Sequence, residues 1–170
     1  MNQLEKQKQL EDYAKSLEGK TEEELKALEQ EIIKEADQTD KDVAEYEFKL
    51  SAKNYKEVAE AIRALLNNQT VQWQYTLGMV SMYDFWDPEK CPKKVKYPIL
   101  DTTLRTLGNM QFTGYQEWAY VVAINKYFEP IREEYSDVTE KVFDVAAKHN
   151  AILDRLKLYE PIDSQQMIVE

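Results

Sequence analysis

Apolar side chains recur along this chain at three- and four-residue steps, the spacing that puts them on one face of an α-helix. One run begins at Phe48 and continues through Ala52, Tyr55, Ala59, Ile62, Leu66, Gln69, Trp73, Thr76, Val80 and Tyr83, with only Gln69 and Thr76 polar. Another starts at Val121 and passes Ile124, Phe128, Ile131, Tyr135, Val138, Val142, Val145, His149, Ile152, Leu156 and Tyr159 in strict alternation. Both read as heptad seams of long helices. Pro130 falls inside the second run and removes one backbone donor, which predicts either a kink or a break between two stacked helices.

Shorter elements flank these seams. Asn2 to Glu18 carries a sparse apolar set, Leu4, Leu10, Tyr13 and Leu17, and stops at Gly19, a residue suited to ending a helix. Thr21 and Glu24 have the spacing of a capping box, opening a helix with Leu25, Leu28, Ile32 and Ala36 on one stripe. Polar residues 37–40 then interrupt the pattern. Thr39 and Asp42 offer a second helix start, with an uninterrupted helix as the alternative. Pro88, Pro92 and Pro98 disfavour helix in the residues before them, so a helix must end near Phe85. Pro98 can open a short helix bearing Leu100, Leu104 and Leu107, with Gly108-Asn109 as its stop and a loop running to Gly114.

Together these elements predict an all-α protein, an elongated antiparallel helical hairpin with coiled-coil-like packing. Extra N-terminal helices cover its open end, and a short helix lies in the connection. Two helices of roughly 45 residues would each extend about 65 to 70 Å. The expected organisation is a single elongated domain. An acidic stalk half spans 1–72, an aromatic head 73–128 containing the proline-rich connector 86–98, a returning helix 129–160 and a tail 161–170. Whether the seams close within one chain or between chains is not set by a heptad pattern.

Composition agrees with this plan. Apolar residues make up 43% and charged residues 32%, with four glycines and five prolines in 170 residues. Such a balance suits solvated helices with a core. The net charge is −10, and within the first 60 residues Asp and Glu outnumber Lys and Arg by roughly 17 to 10. That field opposes phosphate backbones and anionic lipid, so neither direct nucleic-acid binding nor membrane binding is expected. The single cysteine, Cys91, precludes an intramolecular disulfide, and the polar N-terminus lacks an apolar signal core. The expected location is cytoplasmic, or within a particle assembled there, and not secreted.

Chemistry-bearing patterns are sparse. One histidine cannot furnish the paired Glu-x-x-His motifs of a di-iron bundle. His149 itself reads as a seam residue with one hydrogen bond, against a pH switch as the sharper reading. Glu57 with Glu60 and Glu134 with Asp137 could hold Mg²⁺ if they converged, but solvated helix faces explain such spacings in an acidic chain. No glycine-rich phosphate loop or nucleophile elbow occurs. Lys90, Lys93 and Lys94 flank Cys91, yet no histidine lies near it in sequence. No catalytic, cofactor-binding or metal-ligating residues are therefore assigned.

What the chain has in excess is aromatic and lysine side chains around the connector. Trp73, Trp86, Lys93, Lys94, Lys96, Tyr97, Tyr115 and Trp118 are accordingly the candidate partner-binding residues. They point to a non-catalytic structural or adaptor protein that packs helices against a protein partner or another copy of itself. The general look of the chain is similar to small accessory proteins of tailed-phage particles, a likeness that covers no defined residues and implies a component of a larger assembly, a viral or phage particle among them. An acidic regulator of a basic partner surface is the second reading, and a metal-dependent helical enzyme the third.

Overall fold

The computed structural model describes residues 2–67, 77–110 and 114–160. Over these the protein is all-α: helices α1 (Gln3–Ser16), α2 (Glu22–Glu45), α3 (Tyr55–Asn67), α4 (Leu77–Phe85), α5 (Tyr97–Asn109) and α6 (Tyr115–Leu156), then a 3₁₀ turn at Lys157–Tyr159. Two three-residue strands, β1 (Glu47–Lys49) and β2 (Lys94–Lys96), form an antiparallel pair. The chain divides into two compact units, Met1–Lys41 with Val138–Glu170 and Asp42–Asp137. Helices α2 and α6 each contribute to both.

In the first unit, α1 starts with a complete capping box. The Glu5 amide donates to Asn2 Oδ1 at 2.8 Å, and the Asn2 amide donates to the Glu5 carboxylate at 3.3 Å. The helix ends at Leu17, and Gly19 takes φ +80°, the left-handed conformation that lets the chain turn back. Thr21 and Glu24 then exchange hydrogen bonds of 3.1 and 3.2 Å at the start of α2. The core of this unit is Leu17, Leu25, Ile32, Val145 and Ile152, with Tyr13, Leu28, Ala36, Ala151 and Leu156 packed around it. Three contacts advance in step along α1 and α6: an ion pair of Lys6 with Glu140, the Lys148 ammonium 5.7 Å from the Tyr13 ring centre, and the Tyr159 hydroxyl donating to the Lys20 carbonyl at 2.6 Å. Helix α1 and the end of α6 therefore run parallel.

The second unit is built around aromatic side chains. Phe48, Tyr55, Trp86 and Phe128 are completely enclosed, as are Ile62, Leu65, Leu66, Met82 and Leu100. Trp86 meets Phe128 edge-on at 5.5 Å and lies 6.3 Å from Tyr55, while Tyr97 stacks on Tyr135 at 5.6 Å. The indole N–H of Trp86 donates to Thr103 Oγ1 at 2.9 Å, and the Thr103 hydroxyl donates to the Ile99 carbonyl at 2.7 Å. A buried polar pair is thus satisfied inside an apolar core. Asp101 collects donors from Tyr135 at 2.6 Å and Arg105 at 2.9 Å, tying α5 to α6.

Several sequence expectations need correction. The run from Phe48 to Tyr83 is not one helical seam. Phe48 lies in β1 opposite Val95, both pointing inward, and helix resumes only at Tyr55, after Asn54 at φ +67°. Asn tolerates that left-handed turn better than most side chains. Within the run Tyr55, Ala59, Ile62 and Leu66 are buried, but Tyr83 is exposed and its neighbour Met82 is enclosed instead. Gln69, Trp73 and Thr76 lie outside the described residues, as does the tail 161–170. Polar residues 37–40 do not interrupt α2. The α6 pattern holds from Val121 to Leu156, all buried or half-buried, and the helix continues through Pro130, which is exposed. Water can satisfy the carbonyl that the proline leaves without a donor.

Candidate functional site

Gly114 precedes α6, and the Glu117 carboxylate folds over it into the space a β-carbon would occupy. From this start α6 carries two adjacent apolar stripes. One is the seam Val121, Ile124 and Phe128, which turns inward. The other is Tyr115, Trp118 and Val122, again at steps of three and four, which turns to solvent: Tyr115 is 92% and Trp118 60% exposed.

Between α5 and α6, beside Trp118, Val121 and Ile124, lies a cleft of about 410 Å³. Its walls are Leu104, Leu107, Gly108 and Met110 from α5 and its end, Trp118, Val121 and Ile124 from α6, and Leu65 from α3. Asn125 and Arg132 supply the polar part of the lining, and the Arg132 guanidinium donates to Asn125 Oδ1 at 2.7 Å. Among the described residues Arg132 makes no ion pair. The cleft is an apolar slot with an exposed indole on its lip and one cation in its wall. Such an arrangement can bind an apolar side-chain ridge, and aromatic and arginine side chains are the types that anchor protein interfaces.

Of the residues marked by sequence, Trp118 lines this cleft, and Tyr115 lies one helical step before it on the exposed stripe of α6. Trp86 and Tyr97 do neither: both are core, where their rings fill space among Tyr55, Phe128 and Tyr135, so neither presents a face to a partner. Trp73 lies outside the described residues. Lys93 is exposed, and Lys94 and Lys96 occupy the outer face of the β1–β2 pair. There Lys94 lies 3.7 Å from Glu47 and Lys96 3.1 Å from Glu45. Acidic neighbours thus offset much of the connector's basic character. Leu104, Met110 and Val122 were not marked. The Tyr115, Trp118, Val122 spacing beside an intact seam is the signal that would have found the second stripe.

A second cleft, of about 400 Å³, lies where the start of α3 approaches the middle of α6. It is lined by Ser51, Lys53, Asn54, Glu57, Val58, Ala123, Lys126, Tyr127 and Pro130. The Tyr127 hydroxyl donates to the Ser51 carbonyl at 2.7 Å, and the Tyr55 hydroxyl to the Asp87 carbonyl at 3.0 Å. Burial first, and then negative charge at the nearby Cys91 sulfur, pushes both phenols up to about 12. These are protonated, hydrogen-bonded tyrosines that fix the fold.

Glu134 accepts a hydrogen bond from Tyr46, which helps raise that phenol above its ordinary value. Among the described residues no three His, Cys, Asp or Glu side chains are placed to hold a metal ion. Among the same residues no helix is long and apolar enough to cross a membrane. Comparison with protein families found no match to this chain, and comparisons with curated proteins and with solved structures found none either.

Proposed function

We propose that this protein is a non-catalytic adaptor that binds another protein through the α5–α6 cleft and its exposed lip. The observation that carries this reading is Trp118, 60% exposed at the edge of a slot lined mainly by apolar side chains. Keeping an indole and the Tyr115 ring in water leaves unclaimed the stabilisation of about 1.5–3 kcal/mol that burying each would bring, and a partner recovers it on binding. The slot lies between two helices, and its largely apolar lining suits the apolar ridge of an amphipathic helix. Arg132 favours a partner helix with an acidic side chain beside that ridge. Incorporation into a larger assembly is one form this role takes.

The test compares the wild-type chain with a Tyr115→Ser/Trp118→Ser double variant as immobilised baits in extract from the source cells. The expected result is a protein retained by the wild type at both low and high salt and lost with the double variant, which remains folded. Identical retention by both baits would overturn the reading. Retention that disappears on adding salt would favour recognition through the acidic residues instead.

A further inference from the structure

Charge sorts the clefts of this molecule. The cleft between α1 and the end of α6, of about 530 Å³, has Lys15 and Arg155 in its lining, with Glu18 and Asp154 to offset them. The cleft between α3 and α6 sets Glu57 beside Lys53 and Lys126. The α5–α6 slot differs from both, since its lining contains Arg132 and no carboxylate. In a chain of 32 acidic and 22 basic residues, a wall whose only charge is positive is a local exception. Among the described residues no ion pair neutralises it. The hydrogen bond to Asn125 occupies one N–H of the guanidinium fork, and the rest stay available to an anion.

That hydrogen bond also fixes where the charge sits. Arg132 reaches back along α6 to Asn125, about two turns beyond Trp118, so cation and indole are separated by about 10 Å at about 1.5 Å per residue. Val121 and Ile124 lie between them on α6, with Leu104 and Met110 across the slot. The slot therefore offers a cation at one end, an aromatic ring at the other and apolar side chains between. Its volume of about 410 Å³ falls in the range of small-molecule sites. We propose that it binds a medium-chain alkyl carboxylate, with the carboxylate on Arg132 and the chain running toward Trp118. With C–C bonds of about 1.5 Å, an extended chain of about eight carbons covers about 10 Å. The guanidinium meets the carboxylate through charge-assisted hydrogen bonds, and the apolar walls take the methylenes out of water. A single cation in an apolar lining excludes polyanions such as nucleotides, whose further charges would be desolvated without a partner.

This inference rests on the adaptor reading only in taking the α5–α6 slot as the binding site. Its test is titration of the full chain with sodium octanoate, followed by calorimetry and by the indole N–H resonances of the tryptophans. Binding should saturate at one octanoate per chain with a Kd of about 1 mM. The Trp118 resonance should move, and that of Trp86, enclosed and bonded to Thr103, should stay in place. Butanoate should bind at least about tenfold more weakly, because it leaves most of the apolar wall uncovered. Arg132→Gln should weaken octanoate about tenfold and leave the affinity for octan-1-ol unchanged, a split that general damage to the slot would not produce. Arg132 is exposed, so this variant keeps the fold. Absence of saturation at about ten times the expected Kd, several octanoates per chain, octan-1-ol bound as tightly as octanoate, or an octanoate affinity unmoved by Arg132→Gln would each overturn the proposal. A bait that captures no protein would leave this titration standing, and a failed titration would leave the capture standing, so the two readings fail separately.

Discussion

Trp86 and Trp118 carry the same side chain into opposite surroundings. Trp86 is enclosed and hydrogen-bonded to Thr103, so Trp86→Ala should cost about 3–5 kcal/mol and lower the urea midpoint sharply. Trp118→Ala should cost about 1 kcal/mol, well below the Trp86 change, because more than half of its side chain is already in water. His149 shows the converse problem. It holds a seam position between Val145 and Ile152, and its Nε2 is buried without a hydrogen-bond partner. The expected single hydrogen bond is not made at that nitrogen. His149→Leu should therefore stabilise the protein by about 1 kcal/mol, read as a higher melting temperature. Tyr55 and Tyr127 predict an alkaline limit. Below pH 10, the ordinary phenol value, folded and unfolded chains both keep these protons, and stability is flat. As pH rises from 10 toward about 12, the unfolded chain loses protons that the folded chain retains, so stability falls. Urea titrations at pH 9 and pH 11 should show the loss, and Tyr55→Phe/Tyr127→Phe should reduce it.

At the scale of elements, short-range chemistry was legible. Gly19, the Thr21–Glu24 pair, the stop near Phe85, Pro98 in the first turn of α5 and the Gly108-Asn109 end each act within one turn of the chain. The α6 stripe was legible for the same reason, since one continuous helix keeps its face over many turns. The strand at Phe48 was not. Three residues are too few to display an alternation, and β1 exists through pairing with Val95 and its neighbours, distant in sequence. Pro130 tests how much helical continuity itself contributes. Replacing it by Ala restores a backbone donor within α6, so Pro130→Ala should stabilise the protein by about 1–2 kcal/mol. Amide exchange should slow around residues 126–134. An unchanged or lower stability would mean that this turn of α6 is held by packing that the proline already suits.

At the scale of the whole molecule, charge is the term that every local argument omits. A net charge of −10 on 170 residues destabilises the folded state through self-repulsion, which salt screens. The melting temperature should therefore rise by a few degrees between low salt and roughly 0.5 M sodium chloride. A drop would show that the ion pairs of Lys6 with Glu140 and Lys96 with Glu45 contribute more than the repulsion costs. Binding at the α5–α6 cleft should change little over the same range.

By itself the sequence determined the helical class, most element ends and the inward face of α6, because propensity, capping and the 3.6-residue period act between near neighbours. It also marked aromatic residues as candidates for partner binding. Which of them are core and which are surface was decided only by tertiary structure. Trp86 and Trp118 are equally apolar along the chain. The difference arises because α3, α5 and α6 close over Trp86 and leave Trp118 on the lip of a cleft. Burial depends on elements that meet far apart in sequence, and helical period carries no record of them.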